Sequence, residues 1–592
     1  MRCAVVGFYH YELESEHSSF RAELQVDRLD PEVEIVRLRI EADAPAVPPV
    51  FKLKWSLPVV DTIGTWHTEA VYRKSLRPDW SQPLDSRSTF AAPVMSLFGG
   101  TGRNTLTFAF SDVLNVIRFD AGVREENSRF QCYVKLFDAP TPPLSVYTAE
   151  LRIDSRKLPY YECLSAVSDW WASFESNKPA PVPADAYEPV YSTWYSFHQV
   201  LTPEEIEEQC RLSAELGCRT VIVDDGWQTS DNARGYDYCG DWEMCEEKIP
   251  DMRSHVKRVH ALGMKYLLWY SVPFIGQKSK AWERFKDKIL YTISGTGPGI
   301  IDPRYSEARE YLIGIYEQAM IDWNLDGFKL DFVDVFGNSA LGKELEHPAP
   351  GRDPISVPQA VDLLLSEIIR RLRAINPKVM IEFRQSYISA LMRKYGNLFR
   401  ASDCPNDAIQ NRIRTIDLRL LSGNTAVHSD MIMWNAEEPV DSAALQLINI
   451  LFSVPQISVR LDQLPAEHVR MVRYWLAFWR EHRSTLMHGT LAPHHPEENY
   501  PLVTAHDEDT FIAVVYGAGY VTLDENLPSR AILVNGTRDG LVLARTAGMR
   551  AVTVTIRNCM GHVVEVNPIE DAPEWTSFAI PPSGTAELVS LR

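Results

Sequence analysis

The chain has 592 residues, is 45% hydrophobic and 10% aromatic, and carries a formal net charge of −19. This length exceeds what one hydrophobic core supports, so about two to four domains are expected. The acidic balance disfavours nucleic acid and anionic membranes as partners. The amino terminus lacks a charged-then-apolar signal pattern and no segment reaches membrane-spanning length, which predicts a cytoplasmic protein that does not bind membranes.

The cysteines indicate neither disulfides nor a metal site. There are nine of them, scattered along the chain, and no two form a CxxC pair. An odd number without paired spacing predicts free thiols. No HExxH motif, close histidine cluster or GxSxG elbow occurs either, so we expect no metal and no cofactor.

The first part of the chain reads as β-structure. Residues 1–178 alternate short apolar runs with turn residues, as in 33–40 and 105–110. Period-two alternation with Pro and Gly punctuation predicts an N-terminal antiparallel β-sandwich. A proline-rich stretch at 177–184 is a natural linker.

Residues 185–487 change to alternating strands and helices. Predicted helices include 203–216, 305–323, 357–375 and 439–452, and the strands are predicted at 189–194, 219–224, 264–270, 326–331, 378–383, 398–403, 424–429 and 455–459. Eight strands with interleaved helices predict a (β/α)8 TIM barrel. A doubly wound sheet would more often show a glycine-rich phosphate loop after its first strand. From 488 to 592 short alternating strands return and predict a small C-terminal β-sandwich.

The fourth predicted strand carries the most informative pair of side chains. Lys329 and Asp331 are two residues apart, so both point to one side of the strand. Asp331 lies at the carboxyl end, the edge where α/β barrels place their active sites. A lysine beside a carboxylate keeps it ionised, as a nucleophile requires. A structural salt bridge explains the pair about equally well on its own.

Polar and aromatic residues also follow the other predicted strands. They are Asp224, Asp225 and Trp227 after the second strand, Trp269 in the third, Arg384 after the fifth, and Arg400 with Asp403 in the sixth. Each alone is compatible with a satisfied core group, but together they predict a sugar site. Two carboxylates without metal ligands are typical of glycoside hydrolysis, with Asp331 as nucleophile and Asp403 as acid/base. A separation of about 5–6 Å would mean retention, and about 6.5–9.5 Å inversion.

Several motifs in order resemble glycoside hydrolase family 36, the α-galactosidase and raffinose-synthase family. They are DDGW at 224–227, GDW at 240–242, HALGMK at 260–265, LDGFKLDF at 325–332 and RASD at 400–403. The resemblance spans about 185–485, and the family's three-domain layout matches the two flanking β-regions. Two segments depart from the family pattern, at 270–274 and 382–386, and both border the sugar pocket in relatives.

The resemblance implies a role for each matching residue. Asp331 would be the nucleophile and Asp403 the acid/base, with Asp407 as a rival for the second role. Asp224 and Asp225 would bind O4 and O6 of a terminal galactose. The remaining implied contacts are with the sugar or its neighbours: Trp227 lining the pocket, Lys329 beside the nucleophile, and Arg384 and Arg400 as supports.

The leading hypothesis is a retaining exo-α-galactosidase acting on small α-1,6-galactosides. A galactosyltransferase of the raffinose-synthase kind keeps the same chemistry with a sugar acceptor. Another glycone, such as N-acetylgalactosamine or glucose, is a variant of the first idea. A catalytically silent sugar-binding protein belongs to a different class, because barrels host many functions. The expected partner is a small carbohydrate, and a homo-oligomer is left open.

Overall fold

A computed structural model describes residues 2–16, 19–293, 297–337 and 349–590. Its centre is a parallel eight-stranded sheet that forms a nearly closed barrel. In chain order the strands are β1 (Val190–Ser192), β2 (Thr220–Val223), β3 (Lys265–Ser271), β4 (Gly327–Asp331), β5 (Met380–Arg384), β6 (Leu398–Arg400), β7 (Ala426–His428) and β8 (Gln456–Ile457). From β1 to β7 each strand pairs with the next one along the chain, and β8 pairs with β1.

The barrel strands are apolar because both of their faces are covered. Every residue of β2 and β4 is buried, as expected for parallel strands with helices outside and packed side chains inside. Isolated parallel bridges from His428 to Val454 and from Ile432 to Ile457 link the β7 and β8 sides. Gly327 lets β4 approach β5, since a Cβ there would lie 1.9 Å from the Met380 carbonyl oxygen.

One helix follows each barrel strand. The helices are α1 (Pro203–Leu216), α2 (Met252–Ala261), α3 (Ser306–Trp323), α4 (Val357–Ile375), α5 (Met392–Tyr395), α6 (Ala408–Arg419), α7 (Val440–Ile448) and α8 (Ala466–Glu481). Thr202 Oγ1 accepts the Glu205 N–H at the start of α1, and Gly217 ends that helix in the left-handed region. Ser356 and Gln359 form a capping box at α4.

Two further short helices and a small sheet lie in the barrel loops. The helices are Trp194–Phe197 after β1 and Lys280–Phe285 after β3. The three-stranded sheet consists of Phe274–Ile275, Gly299–Ile301 and Ile289–Thr292. It occupies the long connection between β3 and α3.

The N-terminal region contains two sheets with a shared apolar core. One contains Arg2–Val6, His10–Glu14, Phe51–Pro58, Arg129–Leu136, Ile117–Arg124, Arg77–Pro78 and Leu84–Ser86. The other contains Arg21–Asp30, Val33–Ala46, Leu144–Asp154, Asn104–Phe110, Val94–Phe98 and Gly64–Trp66. A helix at Tyr160–Ala172, which the sequence did not predict, follows them before the barrel.

The C-terminal region is again β-structure. A seven-stranded sheet contains Thr490–His494, Leu502–His506, Thr510–Val515, Arg530–Asn535, Thr585–Ser590, Val552–Arg557 and Val563–Ile569. A three-stranded sheet contains Val521–Thr522, Val542–Arg545 and Trp575–Phe578. The predicted fold class, a TIM barrel with β-rich domains on either side, is confirmed. The domain boundaries near 178–185 and 488 stay predictions.

One buried carboxylate ties the three regions together. Asp417 of α6 accepts hydrogen bonds from Trp66 Nε1 at 2.8 Å and Tyr500 OH at 2.5 Å. It also pairs with Lys74 Nζ at 3.4 Å. Trp66 and Lys74 come from the N-terminal region and Tyr500 from the C-terminal one. A helix of the barrel therefore holds both flanking regions through a single side chain.

Candidate active site

The carboxylate of Asp331 lies at the end of β4 and is held by four donors. Its Oδ1 accepts from Arg384 Nε at 2.9 Å, from the Phe332 N–H at 2.8 Å and from the Tyr387 hydroxyl. Its Oδ2 accepts from Trp269 Nε1 at 3.0 Å. Burial opposes ionisation, but Arg384, Lys329 and these donors outweigh it and hold the pKa of Asp331 far below its usual range.

The expected contact between Lys329 and Asp331 is not the one that forms. Lys329 Nζ lies 2.6 Å from Asp224 Oδ2, and both side chains are buried. The ion-pair partner of Asp331 is instead Arg384, which reaches it from β5. The Lys329 ammonium projects inward across the barrel towards β2, although its charge still lowers the pKa of Asp331. Lys329 and Asp331 therefore do not form an ion pair with each other, and each has a different partner.

Asp224 and Asp225 form a rigid acidic turn after β2. Asp225 accepts from Gln199 Nε2 and from Gln228 Nε2, each at 2.7 Å. Burial raises the pKa of Asp225 to about 6 despite these two donors. Gly226 follows with φ +115, and a Cβ there would lie 2.6 Å from the Gln199 Cα. Only glycine fits this turn, which explains its place directly after the two acids.

Asp403 lies in the loop beyond β6 and faces the barrel mouth. The strand ends at Arg400, three residues earlier than predicted. The Asp403 side chain is 47% exposed and its Oδ1 lies 3.0 Å from Arg400 Nη2. The surrounding protein raises the pKa of Asp403, but Arg400, Arg384 and Lys329 bring it below its usual value, while the Asp331 charge acts in the opposite direction. Asp331 and Asp403 are thus electrostatically coupled across one intervening strand.

Behind Asp403, a buried network fixes Arg400. Its guanidinium bonds Asp430 and lies 3.5 Å from Glu382 Oε1. Asp430 also accepts the Tyr195 hydroxyl at 2.9 Å and the Cys404 N–H at 2.6 Å. Burial raises the pKa of both Asp430 and Glu382. The position of Arg400, and through it that of Asp403, is therefore set by these acids.

The predicted aromatic residues support the site in two layers. Trp269 is 2% exposed and donates its indole N–H directly to Asp331. Trp227 is fully buried, donates to the Trp269 carbonyl at 2.9 Å and packs on Trp242. Trp227 therefore lies behind Trp269 and fixes it, where the resemblance implied a residue lining the pocket. Tyr236 stacks on the other side of Trp269 at a centroid distance of 6.4 Å.

Asp407, the rival to Asp403, has a structural task. It is the N-cap of α6 and accepts the Gln410 N–H at 2.9 Å. Such a cap satisfies a backbone donor at the helix start. Its other contact is the Tyr72 hydroxyl at 3.3 Å. This geometry favours Asp403 as the group that faces Asp331.

Other sequence predictions concern groups outside this constellation. All nine cysteines are free thiols, as expected. Within the described ranges, no three His, Cys, Asp or Glu side chains are arranged to hold a metal ion. Over the same residues, no helix combines the length and the apolar character that a membrane span requires.

Comparison with known proteins points to one family. The melibiase family model matches residues 176–332, from the linker through β4. Alpha-galactosidase 1 of Pediococcus pentosaceus is 23% identical over 217 residues, and AgaA of Geobacillus stearothermophilus is 24% identical over 186. The chain is a relative of the family 36 α-galactosidases. These matches cover 35% and 30% of the chain, but only 27% and 25% of the two relatives.

Solved structures extend the likeness to the whole fold. The α-galactosidase AgaA of Geobacillus stearothermophilus, solved with raffinose, has a TM-score of 0.63 at 14% identity, over 98% of this chain and 83% of that one. The α-galactosidase of Lactobacillus brevis has a TM-score of 0.63 at 16% identity, over 99% and 82%. At this identity the likeness establishes the shared architecture of a family 36 relative.

Several residues of the site were not predicted from the sequence. Four residues each bond one of the acids: Tyr387, Gln199 and Gln228 in loops, and Tyr195 in the short helix after β1. Asp430 follows the seventh strand in the sequence, but its distance of 30 residues from Arg400 gives no local sign of their pairing. Loop residues of this kind are placed by tertiary contacts, so no local pattern identified them.

Proposed function

We propose that the chain is a retaining, exo-acting α-galactosidase that hydrolyses terminal α-galactosides through a covalent glycosyl-aspartate. The observation that carries this proposal is the Asp331 carboxylate, which is held ionised and oriented by four donors at the end of β4. A buried carboxylate stabilised in this way is suited to attack an electrophilic carbon. The relation to family 36 supports the same role.

The attack has a preferred oxygen. Oδ1 of Asp331 already accepts three hydrogen bonds, whereas Oδ2 accepts one, from Trp269. Oδ2 therefore keeps a lone pair free to form the bond to the anomeric carbon. The bond from that carbon to the leaving oxygen breaks, and Asp403 supplies a proton to that oxygen. The glycosyl ester and the free alcohol result.

The proton on Asp403 depends on how the mouth is filled. In the open site Arg400 and Arg384 lower its pKa, and half of its side chain is exposed. A bound sugar displaces solvent from the Asp403 carboxyl, and this desolvation raises its pKa and favours the protonated form. After ester formation, the Asp331 charge is gone and the pKa of Asp403 falls again. Asp403 is then suited to take a proton from water, which attacks the anomeric carbon and releases the sugar and the Asp331 carboxylate.

The glycone would bind on the β2–β4 side. Asp224, Asp225 and Lys329 form a buried cluster of acceptors and a cation next to Asp331. Each of the four carboxylate oxygens already accepts one hydrogen bond and keeps a second lone pair that can accept from a sugar hydroxyl. A closed polar end of this kind fits a terminal sugar, as expected for an exo-acting enzyme.

Turnover and stereochemistry test the proposal directly. Nitrophenyl α-galactoside and an α-1,6-linked galactosyl disaccharide should both be hydrolysed to free galactose. Proton NMR at early times should show the α-anomer first, because two displacements restore the original configuration. The β-anomer as first product would indicate inversion and rule out the glycosyl-aspartate. No turnover of any α-galactoside would overturn the function itself.

A second glycone is favoured by one specific similarity. The A type blood α-D-galactosamine galactosaminidase of Flavonifractor plautii is 26% identical over 176 residues, which are 26% of this chain and 15% of that protein. Galactosamine differs from galactose only at C2, away from the hydroxyls assigned to Asp224 and Asp225. Parallel assays with nitrophenyl α-galactoside, α-galactosaminide and α-N-acetylgalactosaminide separate the two, because the preferred glycone gives the highest kcat/KM.

A further inference from the structure

Part of the N-terminal sandwich extends onto the mouth of the barrel. Residues 67–92, here called the wall segment, connect the strands Gly64–Trp66 and Val94–Phe98 and include the short strands Arg77–Pro78 and Leu84–Ser86. The segment contacts the loops after β4, β5 and β6. The Ala91 N–H bonds the Ser386 carbonyl at 3.1 Å, and the Ser389 hydroxyl donates to the Ser88 carbonyl. The segment is therefore fixed to the loop that follows Arg384 and contains Tyr387.

The wall segment also reaches the loops after β4 and β6. Arg87 Nη2 donates to the Asp334 carbonyl at 3.2 Å, and Gly337 packs directly against the Arg87 guanidinium. At the other end, the Tyr72 hydroxyl contacts Asp407 at 3.3 Å, four residues after Asp403. One part of the segment thus lies next to the loop that follows Asp331, and another part next to the loop that contains Asp403.

Charged and aromatic side chains of the wall segment remain open to solvent. Tyr72 is 44% exposed, and Glu69 is exposed as well. Partial desolvation by the surrounding protein raises the pKa of Glu69, against the opposing charges of Arg414 and Arg87. Glu69 therefore lies near Arg87, which bonds the loop after β4, and Tyr72 lies next to Asp407 in the loop after β6.

The two reacting carboxylates divide the mouth into two sides. The β2–β4 side holds Asp224, Asp225 and Lys329 and is closed by buried groups. The β5–β6 side is bordered by the wall segment, and the Asp403 side chain there is about half exposed. We propose that Tyr72 and Glu69 of the wall segment bind the leaving group of the substrate, so that the N-terminal sandwich selects it. This inference rests on the proposed glycosidase function and assigns the other half of its substrate.

The side chains indicate the class of leaving group. Tyr72 offers a ring face and Glu69 accepts hydrogen bonds, while Arg414 donates them, and these three functions together suit a neutral sugar ring with several hydroxyls. An apolar aglycone would displace water from Glu69 and Arg414 and return no hydrogen bonds, which costs binding energy. We therefore infer a second sugar unit, and not an alkyl or lipid chain, on this side.

Two substrates with the same glycone test the wall segment. An α-1,6-linked galactosyl disaccharide has a sugar leaving group, whereas α-galactosyl fluoride has none that can contact Tyr72. For Tyr72→Ala and Glu69→Ala, kcat/KM should fall by about tenfold with the disaccharide. With the fluoride it should stay at the wild-type value. Tyr520→Ala, an equally exposed tyrosine in the C-terminal region, is the matched control and should change neither.

The outcomes distinguish the inference from the function on which it rests. Equal losses with both substrates, or no loss with the disaccharide, would overturn the role of the wall segment. A wild-type protein that turns over neither substrate contradicts the proposed glycosidase. In that case calorimetric titration tests whether the wall segment binds the second sugar unit. Tyr72→Ala must weaken disaccharide binding and leave galactose binding unchanged. Weaker galactose binding with unchanged disaccharide binding would refute the role of the segment.

Discussion

At the residue scale, the site depends on how each carboxylate is paired. Asp331 forms an ion pair with Arg384 and accepts a hydrogen bond from Tyr387. Asp224 forms an ion pair with Lys329, and Asp403 forms one with Arg400. Asp225 differs, because its two partners are neutral amides. Despite burial, neighbouring cations lower the pKa values of Asp331 and Asp403, whereas burial raises the pKa of Asp225.

Asp225 should limit stability at neutral pH. Its folded pKa of about 6 lies above the unfolded value, so the folded state holds this proton longer and stability falls as pH rises from about 4 to 6. Asp225→Asn removes this titration. We expect the variant to be more stable than the wild type at pH 7, on the order of 1–3 kcal/mol, and similar to it at pH 4. Urea unfolding at both pH values measures the difference.

An Asp225→Asn protein that is less stable than the wild type at pH 7 would contradict this reasoning. Its activity should fall at the same time, because the sugar loses an anionic acceptor. Gain of stability together with loss of turnover is the pattern expected when a binding site holds an unfavourable charge.

At the element scale, the sequence predicted more of the barrel than of its loops. All eight strands overlap their predicted ranges, the helices α1, α3 and α4 match theirs closely, and α7 ends at Ile448 instead of at 452. Lys329 and Asp331 were predicted to point to one side of their strand, and both are buried in β4. Their partners were not, because Asp224 and Arg384 come from other strands and only the closed sheet brings them together. The end of β6 was placed too late for a similar reason, since Asp403 is held by an ion pair and not by strand pairing.

The close approach of β4 and β5 makes a sharp prediction for Gly327. Alanine there places a Cβ 1.9 Å from the Met380 carbonyl oxygen, so the strands must separate. We expect Gly327→Ala to lower the free energy of unfolding by about 1–3 kcal/mol. It should also reduce turnover, because Asp331 and Arg384 lie at the ends of these two strands. Urea unfolding and initial rates measure both effects.

Gly314, within α3, provides the control for this substitution. A Cβ at that position meets no atom within 4 Å. Gly314→Ala should leave activity unchanged and stabilise the protein by about 0.5–1 kcal/mol through helix propensity. If both variants behave alike, the strand contact does not constrain the site.

At the scale of the whole molecule, the flanking regions are attached through polar contacts as well as apolar packing. One hydrophobic cluster extends from Trp66 and Phe98 of the N-terminal region through the barrel to Val503 of the C-terminal one. Asp417 lies within this junction and bonds a residue from each side. No sequence pattern predicted this junction, because Trp66 and Lys74 lie 351 and 343 residues away from Asp417 along the chain.

Removing this carboxylate should weaken the junction of all three regions. Asp417→Ala leaves the buried Lys74 ammonium without its counter-charge, and the Trp66 indole and the Tyr500 hydroxyl without this acceptor. Breaking a buried ion pair in this way costs about 3–5 kcal/mol. We expect a lower Tm in calorimetry, while Asp539→Ala, an exposed aspartate, should leave Tm unchanged. Equal Tm values for both variants would show that the junction is held by apolar packing alone.

The glycosyl-aspartate at Asp331 is the central claim, and azide rescue of Asp331→Ala with nitrophenyl α-galactoside tests it most directly. We predict that turnover falls at least about a thousandfold. Azide should restore much of it and yield β-galactosyl azide, because the small anion enters from the face that the carboxylate occupied. A variant that keeps wild-type activity, or an inactive variant that azide fails to rescue, would contradict the account.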